Sequence, residues 1–559
     1  MFKRIWIGLL LPILAATALY ADENSAEQEA NSQAATIEAV EAAEKIEENT
    51  VASVINNAME PVNKFLKSTI FYSIETGYVY ERDGEPILGS NGQPEPIEFP
   101  VVVIWLFGAG LFFTLFMGFI NFRGFKQAFR IVKGDYDSPN DPGEITHFQA
   151  LTAAVSGTVG LGNIAGVALA ISIGGPGAVF WMILAGLFGM TTKFTECTLG
   201  VKYREINERG EVTGGPMMYL QKGLANRGWP KIGKVLAVFA ALMCIGGAYG
   251  AGAMFQVNQS STQFTNEIVA LTGGSESFFA GKPWIFGVIF LSFVGLVIIG
   301  GIKKITHVTE KLVPFMAILY ISASLVIIFS HFGDIPAAFG LIFDSAFSTE
   351  AGLGGVIGAL IQGLRRATFS NEAGLGSASI AHAAVKTKEP VSEGLVALLE
   401  PFIDTVVICT ITGLVIILTG SYGVEGLSGI ALTSQAFGTF ADWFPYLLTV
   451  AVILFAFSTS ITWFYYGQRS FLYLFGDNAK ADLAFKVSYL FVLFIGSALA
   501  LGPVMDIADA LLFAMGFPNV VGLFIMRHEV RDMLRDYLKR IDSGQIKTAK
   551  QMAAEKAAS

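Results

Sequence analysis

The chain has 559 residues, of which 53% are hydrophobic and only 15% charged, and its mean hydropathy is +0.55. A soluble domain carries about 25% charged residues, so the composition excludes an ordinary water-soluble enzyme and points to the bilayer. The net charge of −9 is local: residues 22–99 alone hold 16 acidic and 4 basic side chains, so it says nothing about a ligand of the apolar remainder.

In chain order, residues 1–21 join a basic start (MFKR), a run of about 15 apolar residues, too short for a span, and a small-residue end, ATALYA. That is the layout of a cleaved signal peptide. Residues 22–99 read as an acidic extracytoplasmic segment, a solvated tether closing in the turn-rich linker GEPILGSNGQPEPIEFP. From residue 100 to 530, eleven apolar runs follow, near 101–121, 148–171, 177–200, 234–258, 284–301, 312–330, 352–381, 391–419, 443–468, 484–501 and 503–526. A helical crossing needs about 20 residues. With residue 22 outside, the inner segments between and after these runs hold 27 Lys and Arg, whereas the outer loops between spans hold one, Lys282. Adding or removing one span scrambles that alternation. The expected protein is an all-α integral membrane protein of the cell (inner) membrane. Its N-terminal segment lies outside, and its tail, 531–559, is cytoplasmic.

No HExxH, GxSxG or phosphate-binding loop occurs, so no enzyme is expected, and no nucleic-acid partner. The three cysteines (Cys197, Cys244, Cys409) read as small buried hydrophobes, and the five histidines, mostly at span ends, as structural. Among charges inside spans, Lys193 and Glu196 are one turn apart and read as a mutually neutralising pair. Arg365, Arg366 and Glu372 flank a glycine-rich run and suggest an ion pair there.

Two glycine-rich runs carry the most information. SGTVGLGNIAG (156–166) lies in the second span, and GLGSASIAH (374–382) echoes it in the seventh. Five spans separate them, so the two cross the membrane in opposite directions, as in an inverted repeat with interrupted helices. An interruption exposes amides suited to a carboxylate and carbonyls suited to a cation. Glycine permits unwound dihedrals, and Asn163 offers both a donor and an acceptor. In the ninth span, Ser458, Thr459 and Ser460 present neutral hydroxyls that suit a monovalent cation, and Trp463, one turn on, can wall a small pocket.

TVGLGNIAGVA (158–168), GGPGAVFWM (174–182), GGPMMYL (214–220) and FSNEAGLGSASIAHAAVKTKEPVSEGL (369–395) followed by FIDT (402–405) resemble the alanine/glycine:cation symporter family over about residues 100–530. The resemblance implies a leucine-transporter-type fold, a 5+5 inverted repeat plus one extra N-terminal helix, with 11 transmembrane helices after signal cleavage. It also implies import of a small neutral amino acid, alanine or glycine, with Na+. On that likeness, the carbonyls of Ser156, Val159 and Phe455 and the hydroxyls of Ser458 and Thr459 hold Na+. The substrate carboxylate meets amides around Gly160, Gly162 and Asn163, and its amino group meets carbonyls near Thr368, Phe369, Ser370 and Asn371. Gln256 and Asn258 reach the pocket, Thr459 borders it, and Trp463 and Phe369 limit side-chain size. The signal-like start and the acidic segment fall outside the family pattern. Three alternatives stay open: H+ coupling through Asp404, Asp506 or Asp509, a glutamine-type substrate, and a receptor that binds without transporting.

Overall fold

The computed structural model describes residues 72–549, apart from 83–84, 87–92, 95, 139–140, 209, 348–351 and 425, together with residues 61 and 551. The expected signal peptide and, residue 61 apart, the acidic stretch up to residue 71 lie outside the described residues. The described part is mostly helical.

Strands β1 (Ser73–Val79) and β2 (Pro96–Pro100) pair antiparallel, with Ser73 opposite Pro100. The expected solvated tether is therefore, over this stretch, a ribbon. Its Tyr80 and Ile97 are buried against Ile361 of a later helix, and Tyr80 accepts a hydrogen bond from Gln362 (2.7 Å). Alternating side chains put Ile97 inward and its acidic neighbour Glu98 outward, so a short amphipathic strand was available in what reads as linker.

Helix occupies each of the eleven expected runs. It starts with α1 (Val101–Phe116), then α2 (His147–Thr158) and α3 (Val167–Gly174), which flank a π-helical turn, Gly162–Gly166. A capping box opens α2: Thr146 Oγ1 accepts from the Gln149 amide, and Gln149 Oε1 accepts from the Thr146 amide. Next come α4 (Ala178–Lys202), α5 (Pro230–Tyr249), α6 (Phe255–Leu271), α7 (Trp284–Ile298) and α8 (Gly301–Ser330). The second half holds α9 (Gly352–Asn371), α10 (Ala378–His382), α11 (Pro390–Ala397) and a π-helix, Phe402–Cys409, leading into α12 (Thr410–Leu418). It closes with α13 (Phe444–Phe475), α14 (Ala479–Gly496), α15 (Leu501–Ala514) and α16 (Gly516–Asp542).

Six helical stretches among the described residues are long and apolar enough to cross a membrane, and the bent pair α2–α3, with a 51° angle, makes a seventh. Helices α1 and α7 are apolar but shorter, at 16 and 15 residues. Burial separates centre from periphery. In its most apolar window α13 is 83% buried, whereas α8, with higher hydropathy, is 39% buried. Phe315, Ile318 and Phe329 of α8 and Leu483, Val487 and Phe491 of α14 point outward. An apolar exterior around a more polar centre suits a bilayer and not water.

The buried charges do not pair as the sequence suggests. Lys193 bonds Glu400 (2.9 Å), while Glu196 accepts from Asn519 (2.7 Å) and from the Gly376 amide (3.2 Å). Neighbours on one helix face can turn to different helices once both are enclosed. His147 and His382 each contact Glu393, the latter at 2.5 Å, and these contacts hold α2, α10 and α11 together. Arg365 and Arg366 both pair with Asp509, leaving Glu372 out of that pairing.

Candidate functional site: two interrupted helices around a buried cavity

A continuous α-helix donates each amide to the carbonyl four residues earlier. At the end of α2 two amides are diverted. Gly160 N–H goes to Asn163 Oδ1 (2.9 Å) instead of the Ser156 carbonyl, and Leu161 N–H goes to Gln256 Oε1 (3.0 Å) instead of the Gly157 carbonyl. The first break is thus a place where side chains outcompete the helix for its own donors. Gln256 is held in turn by donation to the Ala251 carbonyl (3.0 Å), inside the π-helical turn Gly250–Met254 between α5 and α6.

The break between α9 and α10 is built differently. Glu372, Gly374 and Gly376 have φ of +57°, +93° and +84°. Ala373 N–H turns to Asn371 Oδ1 (3.0 Å), so the Phe369 carbonyl loses its helical donor.

Asp404, on the π-helix Phe402–Cys409, touches both breaks. Its carboxylate accepts from Asn163 Nδ2 (2.6 Å), Ser370 Oγ (2.8 Å) and Thr405 Oγ1 (2.6 Å). Thr405 in turn accepts from Asn371 (3.1 Å). π-helical segments are rare and recur at functional sites.

Between the breaks lies a cavity lined by Gly157, Thr158, Gly162, Ala251, Gln256, Phe369, Glu372 and Trp463. At about 10 Å³ it has room for about one water molecule. Four of the residues expected to bind substrate line it: Gly162, Gln256, Phe369 and Trp463. Gly160 sits at its edge, where an added Cβ would lie 3.1 Å from Gln256 Oε1. Asn163 and Ser370 face Asp404 instead. Thr368 and Asn371 line a second cavity on the far side of the break, with Phe107, Gly189 and Thr192. Asn258 donates to the carbonyls of Gly496 (3.2 Å), the last residue of α14, and Leu499 (2.6 Å), just beyond it, so it anchors a helix end and does not line the cavity.

The residues expected to hold Na+ do come together. Thr459 Oγ1 reaches the Val159 carbonyl (3.5 Å), and Ser156 Oγ donates to the Ser458 carbonyl (2.8 Å). Ser458 Oγ donates to the Phe455 carbonyl one turn back (2.9 Å). All of these groups are neutral oxygens on α2, the first break and α13.

Glu372 is the cavity residue that the sequence reading assigned elsewhere. It accepts from Trp463 Nε1 (2.9 Å) and from Ser377 Oγ. The signal was present: a carboxylate inside an apolar run is costly in a membrane and marks a functional position by default.

Interrupted helices meeting at a buried polar cavity, inside a bundle with an apolar exterior, define a helical membrane protein with a candidate ligand site in its core. The chain matches the family model described as "Sodium:alanine symporter family" over residues 93–551. It is 41% identical over 431 residues to the sodium/alanine symporter AgcS of Methanococcus maripaludis, covering 76% of this chain and 92% of that protein. It is 33% identical over 446 residues to the probable sodium/glutamine symporter GlnT of Bacillus subtilis, covering 79% and 89%. Among solved structures, MhsT in complex with L-phenylalanine aligns with a TM-score of 0.46 at 14% identity, over 69% of this chain and 99% of that one. The chain belongs to the sodium:alanine symporter family.

Proposed function

We propose that this protein imports a small neutral amino acid, alanine or glycine, coupled to Na+ entry by alternating access. In this reading eleven helices span the membrane as two inverted five-helix repeats after one extra helix, with the C-terminus cytoplasmic. The observation that carries it is the approach of Thr459 Oγ1 to the Val159 carbonyl beside the first break. A monovalent cation drawn to those oxygens ties α2 to α13, and the same break forms one wall of the cavity. Ion and substrate thereby stabilise one closed arrangement, which is the differential affinity that coupling requires.

Trp463 and Phe369 leave little room, which favours alanine or glycine over glutamine. The cavity as it stands admits a water and not an amino acid, so loading requires the two breaks to part. One Na+ moving inward yields about 2.3 kcal/mol per 100 mV. At about 1.4 kcal/mol per tenfold ratio, voltage alone concentrates a zwitterion more than tenfold.

A second reading, H+ coupling, is favoured by Asp404, a buried carboxylate whose side-chain partners here are all neutral. Asp509 is a poorer candidate because Arg365 and Arg366 already neutralise it. Alanine uptake into proteoliposomes under imposed Na+ or H+ gradients separates the two. Uptake unchanged when K+ replaces Na+ rules out the Na+ mechanism. Thr459→Ala is expected to raise the Na+ concentration for half-maximal uptake, and an unchanged value removes Thr459 from the ion site.

A further inference from the structure

We infer that the Glu372 carboxylate receives the substrate's α-ammonium group, in place of the backbone carbonyls that the family likeness suggests. The inference rests on the amino-acid reading above and deepens it.

Glu372 is the one carboxylate among the residues lining the cavity. Each of its oxygens already accepts one hydrogen bond, from Trp463 and from Ser377. A carboxylate offers about four lone-pair sites, so each oxygen keeps capacity for a further donor. The rest of the lining supplies no second anion to compete.

Its charge also lacks a direct partner. Glu393 contacts two histidines, Glu400 contacts Lys193, and Asp509 contacts two arginines, whereas no ion pair within 4 Å reaches Glu372 among the described residues. Lys193 acts on Glu372 only from farther away, with its ammonium bonded to Glu400. Glu196 and Asp404 also lack such a pair, but amide, amide-side-chain and hydroxyl donors hold them and neither lines the cavity. A buried anion is costly until a counter-charge is brought to it. A substrate ammonium brings one.

The backbone supports the assignment. Glu372 has φ +57° in a turn whose other two left-handed positions are glycines. Glycine would occupy position 372 without strain. A side chain kept there at a conformational cost is the pattern of a functional position. Of the alternative receivers, Thr368 and Asn371 line the other cavity, and the Thr368 carbonyl already accepts the Glu372 amide (3.0 Å). The Phe369 carbonyl, freed by the break, can assist. Across the cavity, Gly162 belongs to the first break and Gln256 of α6 accepts from its Leu161 amide, so an amino acid lies with its ammonium toward α9 and its carboxylate toward α2.

The test is equilibrium binding of labelled L-alanine to the purified full-length protein in Na+ buffer, with competition by glycine, L-glutamine and L-lactate. L-lactate keeps the carboxylate and methyl group but carries a hydroxyl where alanine has its ammonium. Wild type that holds none of the three amino acids defeats the amino-acid reading itself. Wild type that binds alanine while lactate competes equally well overturns only the Glu372 assignment, and needs no variant. Among variants, an ammonium receptor predicts about 10- to 100-fold weaker alanine binding by Glu372→Gln, with Glu372→Asp binding better than Glu372→Gln. A strut for Trp463 predicts the reverse, because glutamine keeps the length and the acceptor while aspartate is shorter. Glu372→Gln binding like wild type, or Glu372→Asp binding no better than Glu372→Gln, overturns the assignment.

Discussion

The two breaks share a GLG sequence and are interrupted by different physics. At the first, neither glycine of that sequence has a left-handed backbone: the turn passes through Val159 at φ −74°, ψ 89° and Leu161 at φ −72°, ψ −9°. Its glycines provide clearance, since a Cβ on Gly162 would lie 3.3 Å from the Phe369 ring and one on Gly160 would press on Thr459. What opens the helix is capture of two amides by Asn163 and Gln256. At the second, both glycines and Glu372 sit at positive φ, so the chain direction is written into the backbone. The first break is held by removable side-chain partners, and the second by conformations that other residues resist.

That contrast can be broken at four points. The largest effect is expected at the residue both breaks share. Asp404→Ala leaves the hydroxyls of Ser370 and Thr405 buried without their carboxylate acceptor, at about 1–3 kcal/mol each. It also takes from Asn163 one of its two bonds to residue 404, the other being to the backbone carbonyl (3.0 Å). A loss of stability of about 3 kcal/mol or more should therefore appear in thermal unfolding in detergent. A melting temperature within error of wild type denies Asp404 its linking role.

Gly374→Ala comes next. It adds the left-handed penalty of about 1–2 kcal/mol to a Cβ contact with Leu106 at 2.6 Å. The expected result is a clear drop in melting temperature, whereas Gly162→Ala should lower alanine uptake with little change in melting. Equal behaviour of the two variants would mean the breaks are built alike.

Gln256→Ala frees the Leu161 amide and should cost about 1–2 kcal/mol while raising the half-saturating alanine concentration. Asn258→Ala, two residues on, should leave that concentration unchanged because it anchors the Gly496 and Leu499 carbonyls. The smallest effect is expected at Gly166, where a Cβ meets nothing nearer than the Leu161 carbonyl at 3.9 Å. Gly166→Ala should stabilise the chain by about 0.5–1 kcal/mol, visible as a slightly higher melting temperature.

Much of this arrangement was legible along the chain. Apolar runs marked where helix forms, because in a bilayer only internally bonded backbone survives. The repeated glycine runs marked both interruptions, and the hydroxyls of α13 marked the meeting place with α2. Side-chain direction was less legible. Gln256 and Asn258 are two residues apart, so on one helix they point about 200° apart, and only one reaches the cavity. Lys193 and Glu196 share a face, yet α4 has different neighbours on either side of it, and each charge takes a separate partner. The ribbon of β1 and β2 went unread because a few alternating residues among turn formers carry a weak signal.

By itself, then, the sequence determined the solvent, the helical runs, the two interruptions and the family, since each depends on composition or on local spacing. The tertiary structure decided which groups the interruptions expose and to whom. Those outcomes depend on competition among donors and acceptors from helices 95 to 300 residues apart, as between Leu161 and Gln256 or Val159 and Thr459. No local pattern encodes the winner of that competition, because it turns on the rotation and approach of packed helices.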